Sequence, residues 1–344
     1  MSPFNSDRRR QRLGAAGKAV WWGAAGLAAR TLARSGRTAP GGAKLNADPV
    51  PPGFVRKAWL EAFEKDRSAV ASGLYPAMDD EPPDLAAMLD RTIDLIADAR
   101  AVEARRAREG GQEARAEAPS SFPAYYRQNF HFQTGGWFTE ASARRYEAQV
   151  EALFSGAAGA MRRTALALLA GAWRDRDHRG ARIADIACGS GAFLGNLARA
   201  FPRTQLIGID LSPAYLAEAG RRAPTAQPIQ ASAERLPFAD SSLEAIACIY
   251  LFHELPPKAR AAAAAEFARV LRPGGLLAFA DSLQMADEPR LARLLEAFPA
   301  YFHEPYYASF TVMDLGGLFA GLGLRRVGEE RAFLTKALLF EKPV

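Results

Sequence analysis

The chain has 344 residues, 49% of them hydrophobic and 24% charged, with a formal net charge of +6 at pH 7. This describes a globular protein of one large domain or two ordinary ones, with enough apolar surface for a real core. Two cysteines, Cys188 and Cys248, form no Cys-x-x-Cys pair, and four histidines, His131, His178, His253 and His303, have no ligand-like spacing, which argues against a disulfide framework and against a metal. The first 46 residues hold nine basic residues and one acidic, a local charge of +8, leaving −2 for the remainder. The basicity belongs to a tail, so a nucleic-acid groove on the body is not expected.

In that tail, residues 1–46, Arg8-Arg9-Arg10 and Arg12 precede an apolar run from Ala19 to Ala29 that contains Trp21 and Trp22. The run is too short to span a bilayer, which takes about 20 apolar residues. Its size also suits a signal-peptide core, its basic flanks and tryptophans suit a helix lying on an anionic membrane surface, and its Ala/Gly/Arg content suits a plain disordered extension. The expected location is cytoplasmic, with peripheral membrane contact through the tail left open.

Residues 47–120 read as a helical region. Trp59, Leu60, Phe63 and Val70 recur at helical spacing. A second helix opens after Pro82-Pro83 with Asp84 as N-cap, and Leu85, Met88, Leu89, Thr92, Ile93 and Ile96 form one apolar stripe. Arg100, Arg105, Arg106 and Arg108, interleaved with Glu103 and Glu109, read as a solvated helix end, and 110–121 reads as a linker. Residues 121–180 hold the densest aromatic cluster, Tyr125 to Phe138, followed by helices at 142–154 and 157–173.

From about residue 181 to 344 the texture changes to short apolar runs alternating with helices, the mark of βαβ units. Strands are predicted at 182–187, 205–209, 227–230, 245–250, 276–281, 324–329 and 332–341, with helices at 192–200, 213–222 and 258–271. The last two strands are joined by a residue or two, which forces them antiparallel.

The block Asp185-Ile186-Ala187-Cys188-Gly189-Ser190-Gly191 ends an apolar strand in an acid, a small-residue turn and a helix start. Small residues let backbone approach a ligand closely, and open α/β sheets bind ligands at the carboxyl ends of their strands. About twenty residues on, a second strand ends in Asp210, where a carboxylate can accept two ribose hydroxyls. Ser232-Ala233-Glu234-Arg235-Leu236-Pro237-Phe238 and Leu271-Arg272-Pro273-Gly274-Gly275 follow in order.

On these motifs the run 182–341 resembles the class I S-adenosylmethionine-dependent methyltransferases, and within them the small-molecule branch that includes the ubiquinone/menaquinone-biosynthesis C-methyltransferases. The resemblance implies an α/β, Rossmann-like, seven-stranded sheet, mostly parallel with an antiparallel last strand, preceded here by an N-terminal helical and lid region. It implies S-adenosyl-L-methionine as cofactor, with Asp185, Gly189 and Gly191 along its methionine and ribose, Asp210 on the ribose, Leu211 on the adenine face, and Ser232 and Ala233 at the adenine edge. Ala187 stands where the motif has its first glycine. Ser232 stands where many relatives carry Asp, so its bond to the adenine amino group would lack charge assistance.

For the chemistry, His253 follows the fourth strand and is the expected general base, with Tyr250 orienting substrate. Tyr126, Asn129, His131, Gln133 and Trp137 would offer polar groups in an aromatic lid, and Tyr306, Tyr307 and His303 another wall. The expected acceptor is a small, apolar or aromatic molecule. A dehydrogenase is disfavoured because Leu194 occupies the third-glycine place of a dinucleotide fingerprint. A catalytically inactive cofactor-binding assembly or regulatory protein stays open. An RNA methyltransferase is disfavoured by the near-neutral body and by the lack of an Asn-Pro-Pro-Tyr-type motif.

Overall fold

The computed structural model describes residues 17, 20–24, 45–78, 85–108 and 113–344. The helical part comprises α1 (Phe54–Ala71), α2 (Leu85–Ala107), α3 (Ala114–Glu117), α4 (Glu140–Leu153) and α5 (Ala158–Ala172). The sheet part runs β1 (Arg182–Ile186), α6 (Ala192–Ala200), β2 (Gln205–Asp210), α7 (Pro213–Arg222), β3 (Gln227–Gln230), β4 (Leu243–Ile249), α8 (Pro257–Val270) and β5 (Leu271–Ser282). It continues through α9 (Ala292–Tyr301), α10 (Tyr307–Phe310) and α11 (Leu315–Gly321) to β6 (Arg325–Ala332) and β7 (Thr335–Glu341).

The seven strands form one sheet in the order β3-β2-β1-β4-β5-β7-β6. β7 runs antiparallel to both β5 and β6, and the pairings among β1 to β5 are parallel. Ala332 faces Thr335 across the two-residue turn, as the short connection demands. The fold is the seven-stranded Rossmann-like sheet anticipated above.

Successive strand residues point to opposite faces, so a strand buried on both sides reads as a continuous apolar run. Ile183 joins Ala245, Ala247, Leu276 and Ala278 under α5, α6 and α7 on one face. Ala184 and Ile186 join Ile246, Cys248, Leu277 and Phe279 under α8 and α11 on the other. Both cysteines are free and buried in these cores. β5 starts at Leu271, earlier than expected, because Leu271 still pairs with Leu243 before a register shift around Pro273-Gly274-Gly275.

The helical region departs from its apolar stripes. α1 turns Ala58, Ala62 and Ala69 inward and leaves Leu60 50% exposed. On α2, Leu95 is buried and Ile93 is 56% exposed. A small core of Leu95, Ala148 and Ala152 fixes that orientation, and Trp22 from the tail completes it. The Trp21 indole N–H donates to Thr92 Oγ1 at 3.1 Å. The two tryptophans, which would face the lipid if the tail lay on a membrane surface, dock on α2 and α4. Apart from residues 17, 20–24, 45 and 46, the tail lies outside the described residues, as does the Asp84 cap. The 110–121 linker contains α3. Among the described residues, no helix is long and apolar enough to cross a membrane.

Candidate active site

The strand order reverses at β1, with β2 on one side and β4 on the other, which opens a crevice at the strands' carboxyl ends. A cavity there encloses about 1040 Å³ of empty space, its mouth included. Asp185, Ala187, Gly189, Asp210, Leu211, Ser232, Ala233 and Tyr250 all line it. Seven of the eight residues expected at the cofactor, together with Tyr250, thus meet in one place. Gly191, His131 and His253 are not part of its lining.

The turn after β1 is left-handed at Ala187 (φ 57°), Gly189 (φ 55°) and Gly191 (φ 80°). Ala187 holds this conformation at a steric cost of about 1–2 kcal/mol that glycine would not incur. A Cβ on Gly189 would meet nothing within 4 Å, whereas one on Gly191 would lie 2.6 Å from Ala219 Cα. Gly191 lies outside the cavity lining, and its missing side chain lets α6 approach α7.

Asp210 is held from both sides. Gly189 N–H donates to its Oδ2 at 2.9 Å and Ser212 N–H to its Oδ1 at 2.8 Å. Burial nevertheless raises its carboxyl to about 6, against the lowering effect of these N–H bonds. Asp185, on β1, is 1% exposed and its Oδ2 has no hydrogen-bond partner. Burial, then the nearby Asp210 charge, push Asp185 well up, with Arg162 pulling the other way.

Ser232 is already committed. Its hydroxyl donates to Glu234 Oε2 at 3.2 Å and accepts the Glu234 N–H at 3.2 Å. The same carboxylate oxygen accepts the Tyr125 hydroxyl at 2.6 Å, so this loop is tied to the aromatic segment.

The aromatic segment 125–138 forms the facing wall through Tyr125, Tyr126, Phe130 and Trp137. Trp137 packs edge-to-face on Tyr146 and Tyr215, with centroids 5.2 and 5.5 Å apart. The Ser212 hydroxyl donates to Trp137 O at 2.5 Å while its Oγ caps α7 by accepting Tyr215 N–H. Asn129 and Gln133 do not face the cavity: Asn129 bridges Ala114 N–H and Gln133 O, and Gln133 donates to Ser142 and Tyr215. His303 pairs with Gln128, and Tyr307 with Ser282.

The expected base, His253, is paired with a buried carboxylate. His253 Nδ1 lies 2.6 Å from Asp281 Oδ1, outside the cavity lining. Burial pulls its pKa down, but the Asp281 charge and hydrogen bond, with Glu304 and Glu254, raise it to about 10. His131 Nε2 lies 2.6 Å from Glu304 Oε1. Tyr250, left-handed at φ 59°, faces the cavity with its hydroxyl against Thr335 Oγ1.

Three charged lining residues escaped sequence reading. Arg162 and Glu147 form a buried pair at 2.8 Å, and Ser190 Oγ donates to Glu147 Oε1 at 2.8 Å. Burial alone would raise Glu147, yet Arg162, Arg222 and Ser190 hold it below its ordinary value. Arg162 is the sole cation of the lining among the described residues. The available signal was Arg162-Arg163 inside the Ala/Leu-rich α5, since buried arginines are rare without a task. Glu254, next to His253, also reaches the cavity.

Residues 183–275 match the methyltransferase domain family. The chain is 38% identical over 104 residues to the phthiotriol/phenolphthiotriol dimycocerosates methyltransferase of Mycobacterium leprae, covering 30% of this chain and 38% of that one. It is 33% identical over 143 residues to the ubiquinone/menaquinone biosynthesis C-methyltransferase of Syntrophotalea carbinolica, covering 40% and 55%. It is 35% identical over 162 residues to the malonyl-[acyl-carrier protein] O-methyltransferase of Methylococcus capsulatus, covering 45% and 56%. The matches thus span less than two thirds of each relative. Among solved structures, human N-acetylserotonin methyltransferase in complex with its cofactor aligns over 74% of this chain and 71% of its own, with 15% identity and a TM-score of 0.49. Residues 183–275 thus carry a methyltransferase domain, and its sheet and motif order are similar to those of the class I S-adenosylmethionine-dependent methyltransferases, which supports S-adenosylmethionine as the cofactor.

Proposed function

We propose that the chain transfers a methyl group to a small, apolar or aromatic acceptor held between the cofactor turn and the aromatic wall. The observation that carries this reading is one cavity with Asp185, Gly189 and Asp210 together with Tyr126, Phe130 and Trp137 in its lining. The relatives matched are named for lipid, quinone and acyl-carrier acceptors.

The residues present fit the cofactor. Asp210, oriented by two backbone N–H groups, keeps lone pairs for the ribose hydroxyls. The unpartnered Asp185 Oδ2 suits the ammonium of the methionine part, and Arg162 its carboxylate. Leu211 and Ala233 give the adenine an apolar bed, with Ser232 acting on the Tyr125 side through Glu234. When bound, S-adenosylmethionine supplies a methyl group on a positively charged sulfur. The protein's contribution is alignment, and well-oriented pairs reach effective molarities of about 10⁵–10⁸ M. Tyr250 orients the acceptor, and the aromatic wall keeps bulk water away from it.

The test uses the full chain with methyl-labelled S-adenosylmethionine and, in turn, quinone, fatty-acid and acyl-carrier acceptors, with mass spectrometry of the products. Label in an organic-extractable product supports the reading. Saturable cofactor binding with no label transferred to any of the three classes would favour an inactive cofactor-binding protein.

A further inference from the structure

We propose that His131, His253, Glu254 and Glu304 form a binding site for a divalent transition-metal ion of the zinc class, set behind the cavity wall. One donor atom from each of the four side chains lies within 4.8 Å of all the others. They come from three segments far apart in sequence: the aromatic segment, the turn after β4, and the loop between α9 and α10.

The first reason is an unmet need. The Glu304 side chain is fully buried, and neither of its carboxylate oxygens has a hydrogen-bond partner. His131 Nε2, 2.6 Å from Glu304 Oε1, also lacks a properly directed hydrogen bond. A buried carboxylate without partners is among the most costly arrangements in a protein interior. A metal ion at the centre of the four side chains would satisfy all of these atoms together.

The second reason is the orientation of His253. Its Nδ1 is held by Asp281 Oδ1 at 2.6 Å, which leaves Nε2 toward Glu254 Oε1 at 3.9 Å. A carboxylate on the far nitrogen is the arrangement that fixes the ring of a metal-binding histidine.

The donor set then selects the ion. Two imidazole nitrogens and two carboxylate oxygens suit zinc and its neighbours, whereas Mg²⁺ and Ca²⁺ prefer all-oxygen shells of six or more. Zinc bonds of about 2.0–2.2 Å put tetrahedral ligand atoms about 3.4 Å apart. The pairs at 2.6 and 3.9 Å bracket that spacing, and with all donor atoms within 4.8 Å of one another, side-chain shifts of about 1 Å complete the shell. Because Glu254 also lines the cavity, the ion would clamp the aromatic wall onto the end of β4.

The test is metal content, independent of methyl transfer. Tag-free full-length protein purified without chelator should carry about one zinc per chain by mass spectrometry of the metal. After chelator treatment, ZnCl₂ should bind saturably in calorimetry and raise the unfolding temperature, and MgCl₂ should do neither. Glu304→Gln should abolish both responses, and Asp281→Asn should weaken zinc binding about 10–100-fold. If Glu304→Gln does not fold, by circular dichroism, His131→Asn carries the same comparison. A wild-type protein that neither retains zinc nor binds it saturably would overturn the proposal, as would a folded Glu304→Gln that binds zinc like wild type.

Discussion

Replacing Asp210 probes the cofactor site most directly. Both of its oxygens already accept one backbone N–H, from Gly189 and Ser212, so the carboxylate is fixed before any ligand arrives. Hydrogen bonds to a charged acceptor contribute about 1.5–3 kcal/mol each. Losing two, in Asp210→Ala, should weaken binding of S-adenosylhomocysteine by about 10²–10⁴-fold, since about 1.4 kcal/mol is tenfold. Asp210→Asn keeps one acceptor oxygen but must turn its NH₂ toward Gly189 N–H or Ser212 N–H, so it should fall between the two. The pH dependence has a definite sign. Folding raises this carboxyl from 3.8 to about 6, so its protonated form stabilises the unliganded fold at low pH, and that contribution is lost as the pH rises through about 6. The ribose hydroxyls need the ionised form, so affinity should be flat above pH 6 and fall about tenfold per pH unit below it. Asp210→Asn should remove that inflection. As a lone surface carboxylate at a strand end, Asp210 would be dispensable for folding. The two N–H groups it satisfies predict otherwise, and Asp210→Ala should lose about 1–2 kcal/mol of stability without ligand. Calorimetry with S-adenosylhomocysteine across pH, paired with denaturant unfolding, measures both effects. Wild-type affinity in Asp210→Ala, or an unchanged inflection in Asp210→Asn, would refute the assignment.

Gly191→Ala combines a left-handed backbone with a clash at Ala219, and should destabilise the fold by about 2–5 kcal/mol; a loss below about 0.5 kcal/mol in urea unfolding, the range of neutral surface changes, would contradict the packing role. Removing Arg162 alone would strand the buried Glu147 charge, so the informative variant is Arg162→Leu with Glu147→Gln, which should fold yet bind S-adenosylhomocysteine at least about tenfold more weakly. Ser232→Asp would set a second carboxylate beside Glu234, so it should lower the unfolding temperature and should not rescue Asp210→Ala; recovered affinity in that double variant would mean the loop can repack toward the adenine.

The sequence by itself determined the sheet, the order of its motifs and the cofactor class. These are local properties: an apolar strand, an acid at its end and a small-residue turn lie within about ten residues of one another, and period and spacing report them directly. The final hairpin was equally legible, because two residues cannot carry a parallel crossover. What side chains do at long range was not. Gly191 read from sequence only as a cofactor contact, and its close approach to Ala219 on α7 is visible only in the fold. Ile93 belonged to an apolar stripe, yet faces outward because Trp22 and α4 fill the other side of α2. His253 had the residue type and position of a base, and only the fold brings Asp281 onto one of its nitrogens. Arg162, Glu147 and the cluster of His131, His253, Glu254 and Glu304 are assembled from separate segments. No sequence window contains them together, because burial and charge at such sites come from tertiary neighbours and not from the residues alongside in the chain.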